Sequence, residues 1–165
     1  MINDTDMKYL RRCVELAEAA LEAGDEPFGS MLVSASGEVL MEDHNHVAGG
    51  DHTQHPEFAL ARWAAQNMTI EDREKAIVYT SGEHCPMCAA AHGWAGLGRI
   101  VYASSSKQLA GWLDELEVAP SRVRNLSIQE VIRDTVIEGP VPELAEEVRR
   151  LHVRLHDKKH NSSNA

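Results

Sequence analysis

Residues 76–97 read AIVYTSGEHCPMCAAAHGWAGL. The run from Ala76 to Thr80 is apolar and β-branched, which predicts a strand. Pro86 follows Cys85 where a helix tolerates proline, because the N–H missing from a first turn has no intrahelical partner to lose. A helix is therefore predicted from Pro86 to about Leu97. Its small residues, Ala89, Ala90, Ala91, Gly93, Ala95 and Gly96, predict close approach to a sheet. Strand, Cys-x-x-Cys and helix succeed one another without a linker.

The same order appears upstream at His55-Pro56-Glu57, where a helix is predicted from Pro56 to Asn67. His55 and Cys85 then stand at the mouths of two helices, with Glu57 and Cys88 inside the first turns. A helix N-terminus carries partial positive charge and favours thiolate over thiol. His55, Cys85 and Cys88 are donors suited to Zn²⁺, and three protein ligands leave a fourth position for water, as catalytic zinc sites do. The two helix mouths have to face each other for these ligands to meet. A Cys-x-x-Cys alone also suits a redox pair, and a structural zinc would need a fourth side chain, for which His84 is the nearest candidate. Adjacency to Cys85 makes that awkward, so His84 is read as a loop side chain bonded to nearby backbone.

Outward from this centre, Asp4 to Ala23 is predicted as an amphipathic helix closed by Gly24, with Cys13 a packed thiol. Ser30–Ser34 and Glu38–Met41 form a predicted hairpin, and His44 and His46 fall in the loop after it. Arg99–Ala103 and Thr135–Glu138 are further strands; Lys107–Leu116 and Pro142–His156 are further helices. His92, four residues after Cys88, is open to a site-lining role, while His152 and His156 are read as solvated. Strands alternating with helices predict an α/β fold: a three-layer α/β/α sandwich around a mixed sheet of about five strands. Residues 1–157 make a single domain, followed by a flexible tail at 158–165.

The chain has 165 residues, 16 Lys and Arg against 26 Asp and Glu, and a net charge of −10. A grip on a nucleic-acid backbone calls for a basic surface, and the densest basic group, Arg149, Arg150, Arg154, Lys158 and Lys159, is interrupted by acids. That balance argues for a small-molecule substrate over nucleic acid. No apolar run approaches a membrane span, and no basic-then-apolar leader opens the chain. Three Cys, two of them in Cys-x-x-Cys, fit a reducing compartment, hence a cytoplasmic location.

His-x-Glu followed by Cys-x-x-Cys resembles the zinc signature of the cytidine/deoxycytidylate deaminase superfamily. Pro27-Phe28-Gly29, Asn45, Tyr79-Thr80-Ser81 and Arg99-Ile100-Val101-Tyr102-Ala103 are similar to its guanine deaminase and tRNA adenosine deaminase branch, over most of residues 6 to 155. Pro56 stands where the family usually has Ala, and His84 where it has Pro. The resemblance implies a cytidine deaminase-like fold and Zn²⁺ held by His55, Cys85 and Cys88. It implies Glu57 as the proton carrier and Asn45, Phe28, Trp94 and Asp114 as substrate contacts. A free aminated nucleobase or nucleoside is the implied substrate, guanine first. A tRNA adenosine deaminase or a cytosine/cytidine deaminase is the alternative, and a homodimer the implied assembly.

Overall fold

The computed structural model describes residues 1–164. Its centre is a sheet of β1 (Gly29–Val33), β2 (Val39–His44), β3 (Ile77–Gly82), β4 (Ile100–Ser104) and β5 (Ile137–Glu138), in the order β2-β1-β3-β4-β5. β1 runs antiparallel to β2 and β3, whereas β3, β4 and β5 are parallel, so the sheet is mixed. Strand periodicity assigns each side chain to a face. Met31, Val33, Tyr79, Val101 and Ala103 meet α1 (Asp4–Glu22) and α7 (Pro142–Ser163). On the other face Leu32 and Val78 meet α2 (Pro56–Asn67) and Ala95 of α4 (Pro86–Ala95). Ile100 and Tyr102 meet Ala89 of α4 and Ile128 of α6 (Ile128–Val131). The expected three-layer α/β/α sandwich is thus formed. β1 and β4 are buried along their whole length, which is why both read as unbroken apolar runs.

β2 lies at one margin, half exposed, and continues to His44 rather than ending at Met41 because its outer residues Glu42, Asp43 and His44 keep pairing with β1. Gly29, opposite His44, has no room for a side chain: a Cβ there would lie 2.4 Å from both the Cys13 carbonyl oxygen and Leu16 Cβ. β1 is therefore pressed directly onto α1.

Two short helices, α3 (Ile70–Lys75) and α6, escape the sequence reading because neither offers two turns of apolar periodicity. Thr69 caps α3 through Asp72 N, and Ser127 caps α6 in a box with Glu130. The remaining helix, α5 (Ser106–Glu115), packs on α7. α7 runs through Ser163, past the expected end at His156 and into the stretch read as a tail. Its last turns carry no apolar stripe and are supported by Lys158 near Glu22 at 3.9 Å and by Ser162 and Ser163 hydroxyls donating to Lys158 and Lys159 carbonyls at 2.9 and 3.0 Å. Ala165 lies outside the described residues.

An ion network ties the N-terminal helix to the sheet. Asp6, 2% exposed, accepts from Tyr79 Oη at 2.6 Å and from both Nη atoms of Arg99 at 2.8 and 3.0 Å, while Arg99 Nε donates to Glu138 at 2.6 Å. Burial pushes the Asp6 carboxyl up, but the Arg99, Tyr79 and Asn3 hydrogen bonds outweigh it and hold the pKa at about 2. Because the folded value lies below the unfolded one of about 4, this stabilisation is complete above pH 4 and is lost as pH falls through about 2. Asp6→Asn should lower the unfolding free energy by about 3 kcal/mol and shrink the loss of stability between pH 4 and 2, measured by denaturant titration across that range.

Candidate metal centre and active site

His55 is the N-cap of α2 and Cys85 the N-cap of α4, both in extended backbone with proline as the next residue. The two helices pack against each other, so their N-termini face one point. There the donor atoms of His55, Cys85 and Cys88 all lie within 4.8 Å of one another. His55 Nδ1 is 3.5 Å from Cys85 Sγ and 3.6 Å from Cys88 Sγ. A tetrahedral zinc with Zn–N near 2.1 Å and Zn–S near 2.3 Å separates N from S by about 3.6 Å, so the spacing fits the ion. Hydrogen bonding from Cys88, supported by His55, outweighs burial and draws the Cys85 thiol down to about 4. Its bond to Cys85 and its burial push Cys88 up. A cation bound here would displace the thiol protons.

Glu57 sits in the first turn of α2, 6% exposed. Ser30 Oγ donates to its Oε1 at 2.6 Å and Thr80 Oγ1 lies 2.9 Å from the same oxygen. Ser30 and Thr80 are paired across β1 and β3, and their hydroxyls are 2.9 Å apart. Burial raises the Glu57 carboxyl, and these two hydroxyls oppose the rise. Neither was anticipated: a hydroxyl in a strand carries no sequence signal until its pairing partner and the facing helix are known.

Asn45 is fully buried just after β2. Its Oδ1 accepts from Val47 N at 3.0 Å and Glu26 N at 3.3 Å, and its backbone N–H bonds the Phe28 carbonyl at 3.0 Å. Asn45 Nδ2 has no partner among the described residues. Phe28 lies over Gly82, where a Cβ would come within 3.2 Å of its ring, and edge-on to His152 at 5.2 Å.

Several residues fall elsewhere than expected. Trp94 is 89% exposed, because the buried stripe of α4 is Cys88, Ala89, His92 and Ala95 and Trp94 lies outside it. Asp114 is exposed on α5, and its carboxylate makes no hydrogen bond or ion pair to another described residue. His84 is buried with both ring nitrogens unpartnered among the described residues, not bonded to backbone; burial drives its pKa far down. It packs edge-on to His92 at 5.4 Å, whose Nε2 lies 2.8 Å from the Gly98 carbonyl. His152 is buried between Phe28 and Trp112, with its pKa lowered to about 4 by burial, rather than solvated. Glu83, also unanticipated, receives Ser106 N at 2.8 Å and Ile128 N at 2.9 Å and so ties the starts of α5 and α6 to the loop before Cys85.

The sequence pattern of the cytidine and deoxycytidylate deaminase zinc-binding region matches residues 3–104. This chain belongs to that family. A probable cytosine deaminase of Schizosaccharomyces pombe is 34% identical over 108 residues, covering 66% of this chain and 65% of that protein. The guanine deaminase of Bacillus subtilis is 35% identical over 104 residues, covering 62% and 66%. The chain thus spans just under two thirds of the length of these relatives. A solved structure from work on A-to-I editing by tRNA:A34 deaminases shares the fold with a TM-score of 0.64 at 22% identity, covering 88% of this chain and 99% of that one. Zinc is the family's metal, and the donor set of His55, Cys85 and Cys88 fits it. Protein dialysed against metal-free buffer should retain one zinc per chain by elemental analysis, and Cys85→Ser or His55→Ala should each drop that content below roughly a tenth while lowering the melting temperature.

Proposed function

We propose that this family member is a zinc-dependent hydrolytic deaminase of a free aminated nucleobase or nucleoside, guanine first, releasing ammonia. One observation carries the reading: a buried carboxyl, Glu57, stands beside a three-donor cluster that leaves one position of a tetrahedral ion unclaimed by side chains. His55, Cys85 and Cys88 would hold the zinc, which when bound would lower the pKa of a water molecule and so supply a nucleophile at neutral pH. Glu57 would accept one proton from that water and deliver it to the ring nitrogen beside the carbon under attack, then take the hydroxyl proton of the resulting adduct and pass it to the departing amine. A carboxyl raised by burial suits this relay, because it can release the proton that it takes up. Ser30 and Thr80 fix its orientation by holding Oε1.

Asn45 supplies the substrate contact. A buried N–H without an acceptor costs about 1–3 kcal/mol, and a carbonyl oxygen or ring nitrogen of a base would recover it at Nδ2. Phe28 offers a ring face on which a base can stack. Nucleic acid is disfavoured by the surface: Arg149 pairs with Glu115 at 3.0 Å, Arg150 with Glu146 at 3.6 Å, and Arg154 with Glu18 at 2.9 Å, so the arginines of the densest basic group already face carboxylates. Trp94 and Asp114 contribute to base recognition in this reading only from a second copy of the chain. The homodimer belongs to the same reading, as does the cytoplasm, whose reducing conditions keep Cys85 and Cys88 out of a disulfide.

The test is ammonia release from guanine, guanosine, adenine, cytosine, cytidine and a tRNA anticodon loop, with Glu57→Gln alongside. The expected result is release from guanine, cut at least about 100-fold in Glu57→Gln with its zinc retained. Release from cytosine alone would replace guanine by the second reading. Release from tRNA alone, falling steeply with salt, would overturn the small-molecule substrate. Undiminished turnover in Glu57→Gln would remove its assigned role.

A further inference from the structure

Among the described residues, one other group brings three metal-binding side chains together. A carboxylate oxygen of Asp25 and one ring nitrogen each of His44 and His46 lie within 4.8 Å of one another. They come from separate places in the fold. Asp25 follows α1, His44 ends β2, and His46 precedes the 3-10 turn Val47–Gly49. We propose that Asp25, His44 and His46 form a second metal site, for a divalent transition ion such as zinc, beside Asn45.

The hydrogen bonds around the trio prepare it for this role. A histidine that binds a metal through one nitrogen characteristically gives its other N–H to a carbonyl or carboxylate, which sets the tautomer and the ring orientation. His44 Nδ1 lies 2.9 Å from the Asn45 carbonyl oxygen, which leaves Nε2 as its ligand. His46 Nε2 lies 2.9 Å from Asp43 Oδ1, which leaves Nδ1. Asp25 is 7% exposed and fixed by one oxygen only, Oδ1 accepting from Ala48 N at 2.8 Å, so Oδ2 is its ligand. Each member is thus held by one atom and offers another. The rings of His44 and His46 lie 4.4 Å apart, tilted by 34°.

Two imidazoles and a carboxylate select zinc, nickel, cobalt or copper over magnesium or calcium, which want oxygen donors. Three ligands leave further positions for water or for an electron-pair donor on a ligand. An ion here would also clamp the backbone on both sides of Asn45, because its two neighbours would be ligands. The site is independent of His55, Cys85 and Cys88 and shares no residue with them.

A second histidine pair supplies the control. His156 and His160 stack at 4.2 Å on α7, but no third donor joins them within the same reach among the described residues. The experiment is calorimetric titration of Zn²⁺ into full-length protein that has been dialysed and holds its first zinc. A second equivalent per chain is expected, weakened at least roughly tenfold in His46→Ala and in Asp25→Asn but unchanged in the double variant His156→Ala/His160→Ala. His46 is half exposed, and Asn at 25 keeps the oxygen that Ala48 N requires, so both variants should retain the wild-type melting temperature. As a second readout, Co²⁺ should broaden the NMR signals of residues 25 and 44–48 before any others. The absence of a second equivalent would overturn the site. So would its persistence in His46→Ala or Asp25→Asn, or its loss in the α7 double variant.

Discussion

Two helix N-termini pointed at one spot are an unfavourable arrangement unless negative charge sits between them. α2 and α4 accept that arrangement because their starts carry Glu57, Cys85 and Cys88, groups whose anionic forms the positive ends of both helices favour. The close approach depends on size. Ala61 and Ala64 on α2 and Ala95 on α4 are buried in one cluster, and larger side chains there would separate the helices and with them the three donors. Proline at the first position of each helix removes an N–H that no carbonyl could have received and sets the chain's entry angle. The site is in this sense a property of helix packing, with the sheet beneath it serving as a floor.

That floor is not passive. The face of β1 and β3 turned toward α2 alternates apolar residues, Leu32 and Val78, with hydroxyls, Ser30 and Thr80. The apolar pair fills the core under α2, and the hydroxyl pair meets the carboxyl of Glu57 where an apolar neighbour would leave it without a partner. A single strand period therefore separates the part of the sheet that stabilises from the part that prepares a proton carrier.

Much of this is legible in the sequence. Pro56 and Pro86 located both helix starts to the residue, and the ligand spacing required the two mouths to meet. The unread remainder has a common cause, since it depends on residues distant in the chain. Ser30 and Thr80 acquire meaning only from their cross-strand register, and Glu83 only from the helix starts that it ties down. His152 looked solvated among charged neighbours, yet α7 turns it inward against Phe28 and Trp112. Trp94 pulled the other way: a large aromatic among alanines reads as core or site, but its angular position on α4 points it into solvent. In sequence His44 and His46 look like loop polars, because nothing there hints that Asp25 folds back to meet them.

The margins of the sheet set the terms of any association. β2 presents Glu42 and Asp43 along its outer length, Glu42 already engaged by Arg12, and the opposite margin is the two-residue β5. A strand arriving at either side would meet fixed charge on one and almost no backbone on the other, so this sheet is closed to extension by a neighbour's strand.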